Sequence, residues 1–451
     1  MSAKLHNFFN SAKFLNRVMI NILLICIFAH MRLFLIATLS LFALIIDYCF
    51  YVNITKRAKH HRIRQWVPQT YLGYAIAVDI FIFAFIFLRY RWPFYGPNSI
   101  SPLPLWLAWF FFLNTIPKCA YFLFFIVSKR VGKRVGKLLR RSGEIVALCL
   151  VFLLIKGALY NTRHFEIKEI AIESPKIPHS FEGYRVALFS DIHLGNLSGQ
   201  KSFLSQFVRH VQHLKPDIIL FAGDLVNMYA NEITQDVQVI LSQMRAPDGV
   251  FSVLGNHDMG AYIGRRAEKI ASLPRDSIAR KQQEEIVKRM HEIGWRVLQN
   301  ESILIVRKND SMGLCGVSYP PIPPLFSESL TDFDPVLATQ QLDISNFNMM
   351  LCHTPKVWED MGDSPALKQM DLMLSGHTHA MQMKIEIGSR KWSPAKWFYR
   401  YWGGLYKRDS RYLYVNEGLG YVLYPMRIGG KPEITIITLI AKSNNYTEQM
   451  L

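Results

Sequence analysis

Acidic residues are almost missing from the first third of this chain. Residues 1–165 hold three of them, Asp47, Asp79 and Glu144, against 21 Lys and Arg. Residues 166–451 hold 31 acidic and 31 basic residues, so the net charge of +18 belongs wholly to the first part. Charge placed between apolar segments reads as membrane topology, which argues against a nucleic-acid partner. Cysteine is scarce too. Four of the six (Cys26, Cys49, Cys119, Cys149) lie in apolar stretches, and only Cys315 and Cys352 lie elsewhere. That excludes a disulfide framework. The remaining two are expected as buried free thiols, with a single bridge as the alternative in an oxidising compartment. The first apolar run is not followed by a polar region with a small-residue cleavage site, so it is not a cleaved signal peptide.

Long apolar runs are present, and they fill the same first third. Four of them, 31–52, 71–88, 103–127 and 144–160, match the roughly 20 residues that cross a bilayer. A shorter run at 18–30 is part of a longer first helix, an extra short span, or sequence upstream of a start at Met31. The first loop carries Lys56, Arg57, Lys59, Arg62 and Arg64, and the third carries Lys129, Arg130, Lys133, Arg134, Lys137, Arg140 and Arg141. The second carries only Arg89 and Arg91. Basic loops stay cytoplasmic, which predicts a multi-pass protein of a bacterial inner membrane with its second half on the external, periplasmic face. The third loop also suits anionic lipid headgroups. No paired intramembrane charges are evident, which argues against a transporter.

The 451 residues suggest two units: a transmembrane region over 1–165 with about four spans, and a catalytic domain over 166–451. In the second, apolar runs without strict alternation include Arg185–Ser190, Asp217–Ala222, Val250–Leu254, Asn348–Cys352, Leu372–Ser375, Tyr412–Val415 and Glu433–Ile440. Such runs suit strands covered on both faces. Helical stretches, among them Ser202–Leu214 and Lys281–Ile293, lie between them. The fold class is therefore α/β, with at least one mixed sheet.

Five of these runs end on metal-seeking residues. They are Asp191 and His193, then Gly223-Asp224, then Gly255-Asn256-His257-Asp258, then His353, then Gly376-His377-Thr378-His379. Strand ends that converge on one rim would gather them into a single pocket. Carboxylate and imidazole suit Mn2+, Fe, Zn2+ and Co2+. Asp191, His193, Asp224, Asn256, His353, His377 and His379 exceed the needs of one ion, and two ions about 3.5–4 Å apart sharing a carboxylate would use them all. Such a pair polarises a phosphoryl group and makes hydroxide available from trapped water, so no Ser or Cys nucleophile is required. Gly223, Gly255 and Gly376 are expected where the chain turns tightly into each ligand loop.

At these residues the chain resembles the calcineurin-like metallophosphoesterase superfamily, over roughly 180–440. Within it, the chain is similar to the YkuE-like membrane-anchored branch. Trp392-Ser393-Pro394, Gly404-Leu405-Tyr406, Tyr414-Val415-Asn416, Gly418-Leu419-Gly420 and Pro432-Glu433-Ile434-Thr435 resemble multi-span Bacteroidota members. The resemblance implies a four-layer α/β/β/α sandwich. It implies that Asp191, His193 and His379 hold one ion, that Asn256, His353 and His377 hold the other, and that Asp224 bridges them. His257 would protonate the leaving oxygen or stabilise the transition state, with Asp258 orienting it. Mn2+ is the expected metal, with Fe, Zn2+, Co2+ or Mg2+ as alternatives. Two departures are Asn227, where many relatives carry an acid, and Ala380-Met381, directly after Gly376-His377-Thr378-His379, where YkuE-like members carry Gly-Gly.

The segment 259–300 is a candidate cap over the metals, and Arg427 is a candidate phosphate contact. A membrane anchor favours a phosphate ester that is lipid-linked, hydrolysed by a metal-bridging hydroxide. The expected partners are the bilayer and a phosphate-containing small molecule or lipid. Alternatives are a UDP-diacylglucosamine-type pyrophosphate hydrolase and a membrane sensor with a phosphoesterase output domain.

Overall fold

Three long helices carry apolar runs of the first third: α1 (Trp66–Arg91), α2 (Leu103–Ser128) and α3 (Lys133–Leu159). The computed structural model describes residues 45–48, 50–51, 66–91, 103–197, 199–260, 262, 275–321, 331–388 and 390–442. Among the described residues, two helical segments, Leu105–Ser128 and Lys133–Arg163, are long and apolar enough to cross a membrane. Of the four expected spans, 31–52 lies largely outside the described residues and 71–88 falls on α1. The basic loop expected at 129–141 is short. It turns at 129–132, and Lys133 already opens α3.

The chain divides into two compact units. One comprises Met1–Pro93 and Phe110–Val151, the other Phe94–Trp109 and Phe152–Leu451. The first contains an ion pair that the sequence reading did not foresee, which corrects the expectation of no paired charges there. Lys118 Nζ pairs with buried Asp47, 71 positions away, and lies 2.8 Å from Asn114 Oδ1. Tyr71 donates to Asp47 at 2.6 Å, and Tyr74 donates to Asn114 at 2.9 Å.

The second unit is built on two sheets. One has the order β1 (Glu166–Ser174), β14 (Glu433–Ala441), β2 (Arg185–Phe189), β3 (Ile218–Phe221), β4 (Val250–Ser252), β5 (Arg296–Val297). The other runs β12 (Gly404–Arg408), β13 (Arg411–Val415), β9 (Leu372–Ser375), β8 (Asn348–Leu351), β7 (Asp310–Gly316), β6 (Glu301–Arg307). Both are mixed. Strands β2 to β5 are parallel to one another, as are β13, β9, β8 and β7, while β14–β2, β12–β13 and β6–β7 are antiparallel.

Strand β2 shows why the apolar runs lack alternation. Val186 and Leu188 join a core shared with Leu314, Met349, Leu351 and Leu374 of the other sheet. Ala187 and Phe189 join a different core with Phe203, Phe207 and Val211 of helix α4 (Lys201–His213). Successive side chains leave opposite faces, and both faces are covered, so no polar position remains. The second sheet repeats the arrangement. Met350, Met373 and Leu413 pack with Trp358 and Leu367 from the short helices Lys356–Met361 and Pro365–Lys368.

The second half of the expected cap lies elsewhere. Helix Arg275–Glu292 buries Ala279, Ile286 and Met290 in the core that holds Phe189 and Phe221. Its apolar face is thereby committed to the domain core and not to a cover over the metals. Residues 261 and 263–274 lie outside the described residues. Cys315 and Cys352 are buried free thiols, as expected, and burial pushes the Cys352 thiol up to about 12.

Candidate metal centre

Each candidate ligand follows the carboxyl end of a strand. Asp191 follows β2, Asp224 follows β3, Asn256 follows β4, His353 follows β8 and His377 follows β9. The first three strands are parallel neighbours in one sheet, and the last two are parallel neighbours in the other, so both carboxyl edges open onto one place.

The side chains meet there in two groups. In the first, His379 Nε2 lies 3.2 Å from Asp191 Oδ1 and 3.0 Å from His193 Nε2. In the second, Asn256 Oδ1 lies 2.7 Å from His377 Nδ1 and 3.1 Å from His353 Nε2, and those two nitrogens are 3.2 Å apart. Asp224 reaches both groups. Its Oδ2 is 3.2 Å from His353 Nε2 and 3.7 Å from His193 Nε2. Ligand atoms of Asp191, His193 and His379, and of Asp224, His353 and His377, lie close enough to surround one cation each. All seven candidates are thus brought together.

The outward ring atoms indicate which atoms face inward. His353 Nδ1 faces the Ala222 carbonyl at 2.6 Å, and His377 Nε2 faces the Tyr399 hydroxyl at 2.9 Å. A proton on each outward nitrogen leaves the inward nitrogen's lone pair free, which is how a ligating imidazole is usually held. Nitrogen lone pairs crowded within 3.2 Å of one another and of carboxylate oxygens are a donor set for borderline divalent cations.

Electrostatics follow from the crowding. Burial alone would raise Asp191, but His379 and His353 hold it below the usual carboxylate range. Asp224 is likewise held low, against burial, by His353 and His257. Burial opposes the charged form of His353, yet Asp224 and Asp191 carry it up to about 9. Burial and the neighbouring His353 push His377 down to about 3.

Two readings of individual residues need correction. Asp258 does not orient His257. Its carboxylate accepts from the backbone N–H groups of Asp224, Leu225, Val226 and Gly255 at 2.8–3.1 Å, binding the β3 and β4 loops together. His257 is instead held through Nδ1 by the Asn227 carbonyl at 2.7 Å. Arg427 is not a phosphate contact. It is fully buried, and its guanidinium donates to the carbonyls of Glu417, Gly418 and Gly420 at 2.6–3.2 Å.

Other residues at the site were not legible in the sequence. Tyr399 touches His377, the Tyr262 hydroxyl accepts from Asn256 Nδ2 at 2.7 Å, and the Tyr319 ring lies 5.9 Å from His353. Glu232 accepts from the backbone N–H groups of Gly195, Asn227, Met228 and Tyr229, fixing the loop that holds His257. Asn416, at the end of β13, accepts from Ser190, whose hydroxyl also donates to Asp191.

Comparisons with known proteins bear on the family. The calcineurin-like phosphoesterase family model matches residues 184–381. The chain is 29% identical over 283 residues to the uncharacterized metallophosphoesterase YkuE of Bacillus subtilis, covering 62% of this chain and 86% of that one. It is 28% identical over 362 residues to a transmembrane protein with metallophosphoesterase domain from Danio rerio, covering 74% of each. It is 25% identical over 305 residues to the UDP-2,3-diacylglucosamine pyrophosphatase LpxG of Chlamydia muridarum, covering 58% of this chain and 86% of that one.

Proposed function

We propose, from the premise that the chain carries a calcineurin-like metallophosphoesterase domain, that it is a membrane-anchored hydrolase of a phosphate ester, with two divalent metal ions as cofactors. The observation that carries this reading is the sharing of Asp224 between two donor groups. Asp191, His193 and His379 would hold one ion, Asn256, His353 and His377 the other, and Asp224 both. The chemistry supplied by two divalent cations there is Lewis acidity toward phosphoryl oxygen and acidification of water. His257 lies beside His193 with ring centroids 4.7 Å apart, and Asn227 holds its Nδ1, which leaves Nε2 to carry a proton to the leaving oxygen. Asp258 and Glu232 keep the loops that bear these groups in register.

The two sheets, with helices on their outer faces, read as a four-layer α/β/β/α sandwich. About four spans and an external active site remain our reading of the loop charges. A lipid-linked phosphate ester is the substrate class that an anchored site favours. Similarity to the Chlamydia pyrophosphatase supports a second reading, a nucleotide-lipid pyrophosphate hydrolase, which needs a cytoplasmic site. The test is a screen of the purified chain with Mn2+ against p-nitrophenyl phosphate, its bis ester and phospholipids, beside a C-terminal topology reporter. Metal-dependent turnover with an external reporter supports the first reading. A cytoplasmic reporter overturns the orientation, and absence of any turnover overturns the enzyme reading.

A further inference from the structure

The segment 381–428 carries a hairpin, β10 (Ile385–Ile387) and β11 (Arg390–Trp392), that leaves large apolar side chains in the open. Its register pairs Ile385 with Trp392 and Ile387 with Arg390, so these four share one face. Glu386 and Lys391 occupy the other. The charged side chains reach back to the protein while staying solvent-exposed: Glu386, 43% exposed, lies 3.4 Å from buried Lys384, and Lys391 donates to the Gly403 carbonyl with its Nζ 4.5 Å from the Tyr406 ring centroid. The apolar face is open, with Ile387 75% exposed.

More apolar surface lies close to the hairpin. Trp392 meets Trp397 edge to face at 5.9 Å. Trp397, Phe398 and Leu423 are 68%, 65% and 72% exposed, and Leu423 holds a left-handed backbone (φ 63) that a leucine rarely adopts. Exposed Arg390, Lys396 and Arg400 are interleaved with them. An apolar patch rimmed by cations is the pattern of an interface with anionic lipid.

The patch also sits at the right place in the fold. Gln382 donates to the Tyr424 and Met426 carbonyls at 2.8 Å each, and Met383 bridges Ile428, which ties the base of the hairpin to loop 422–428. That loop is seated on the end of α3: Arg427 N–H donates to the Gly157 carbonyl at 3.0 Å, and Asn161 donates to the Arg427 carbonyl at 2.7 Å. Helix α3 belongs to the candidate span Lys133–Arg163. At the other side, Phe398 precedes Tyr399, whose hydroxyl touches His377. Loop 422–428 thus links the patch to the span end, and the Phe398-Tyr399 step links it to the metal centre.

We propose that the face formed by Ile385, Ile387, Trp392, Trp397, Phe398 and Leu423 is a docking surface for an anionic phospholipid bilayer, seated beside the last span so that lipid headgroup phosphates stand next to the metal centre. The proposal rests on the membrane-anchored reading but not on turnover. Its test uses the full chain in liposomes of phosphatidylcholine and phosphatidylglycerol, in a cysteine-free background. An environment-sensitive fluorophore is attached at Ile387→Cys, with Val306→Cys, on the far edge strand β6, as the control. Doxyl-labelled phospholipid quenches the Ile387 probe several-fold more than the Val306 probe. Ile387→Asp with Leu423→Asp abolishes that difference for a probe at Trp397→Cys and leaves p-nitrophenyl phosphate turnover within a small factor. Equal quenching at both sites overturns the proposal. So does a probe shielded from water yet unquenched by lipid, which identifies a protein partner or second copy as the occupant. Quenching without any hydrolysis leaves the docking surface standing and removes only the enzyme reading.

Discussion

Five of the seven candidate ligands, Asp191, His193, Asp224, His377 and His379, hold left-handed backbone. Each such non-glycine residue costs on the order of 1–3 kcal/mol, a strain that functional sites keep because the surroundings over-determine it. The glycines beside them serve a purpose that only contact distances reveal. Gly223 takes a positive φ of 92, but Gly255 and Gly376 do not. A Cβ on Gly255 would collide with Asp224, and one on Gly376 with Asp191 and Ser190. Close approach, not backbone freedom, fixes those two. The ligands were legible in the sequence because each directly follows an apolar run, whereas Tyr399 and Tyr262 arrive on loops with no such marker. Arg427 was misread because a lone basic residue looks the same whether it faces a phosphate or a ring of carbonyls. Two expectations follow at this scale. His257→Ala lowers kcat by about 100- to 10,000-fold, the range of a lost general acid, with Mn2+ affinity unchanged by calorimetry. Equal loss of metal binding would instead make His257 a ligand. Tyr399→Phe removes the partner of His377 Nε2. Loss of such an outer hydrogen bond costs about 10–100-fold in metal affinity, read here as one of two binding steps weakened.

The elements were legible where burial dictates composition. Both faces of β2, β3, β8 and β9 are covered, so their apolar runs stand out in the sequence. The hairpin β10–β11 was not, because its strands are three residues long and its apolar face is open. Nor was the pairing of β1 with β14, which come from opposite ends of the 166–451 domain and share no local pattern, where charge is buried. Lys168 of β1 lies 2.6 Å from Glu433 and 3.1 Å from Glu417, and buried Lys384 lies 3.0 Å from Glu417. Burial favours neutral groups, but Lys168 and Lys384 hold Glu417 below its ordinary value. A depressed carboxylate stabilises the fold above its unfolded value of 4.5, and that contribution is lost as pH falls through the lower folded value. Lys168→Met leaves buried Glu433 without its cation. It should cost about 3–5 kcal/mol in chemical denaturation, as broken buried pairs do, and move acid unfolding to higher pH. A change within about 0.5 kcal/mol would mean that Lys384 and water compensate.

At the scale of the whole molecule, the two sheets are held together by apolar packing, while the rim where their carboxyl edges meet concentrates five imidazoles and two carboxylates. The rim's electrostatics couple metal binding to the stability of the second unit. His353, raised to about 9 by Asp224 and Asp191 against the cost of burial, carries a proton at neutral pH when no cation is present. A raised histidine stabilises the metal-free fold fully below its unfolded value of 6.5, and that stabilisation disappears as pH rises through about 9. Metal binding runs in the opposite direction, because the proton must leave before the nitrogen can ligate. Affinity for Mn2+ therefore rises with pH across this window, and ligand-linked stabilisation grows with it, reaching about 2.7 kcal/mol when free metal is 100 times Kd. The difference in Tm between Mn2+-loaded and EDTA-treated protein should widen steadily from pH 6.5 to 9, accompanied by proton release that calorimetry in two buffers of different ionisation enthalpy detects. His353→Gln removes the titrating group, so the residual metal-induced shift in that variant becomes nearly independent of pH over the same range. A gap that is flat with pH in the unaltered chain would show that the Asp224–His353 contact is not what the incoming cation displaces.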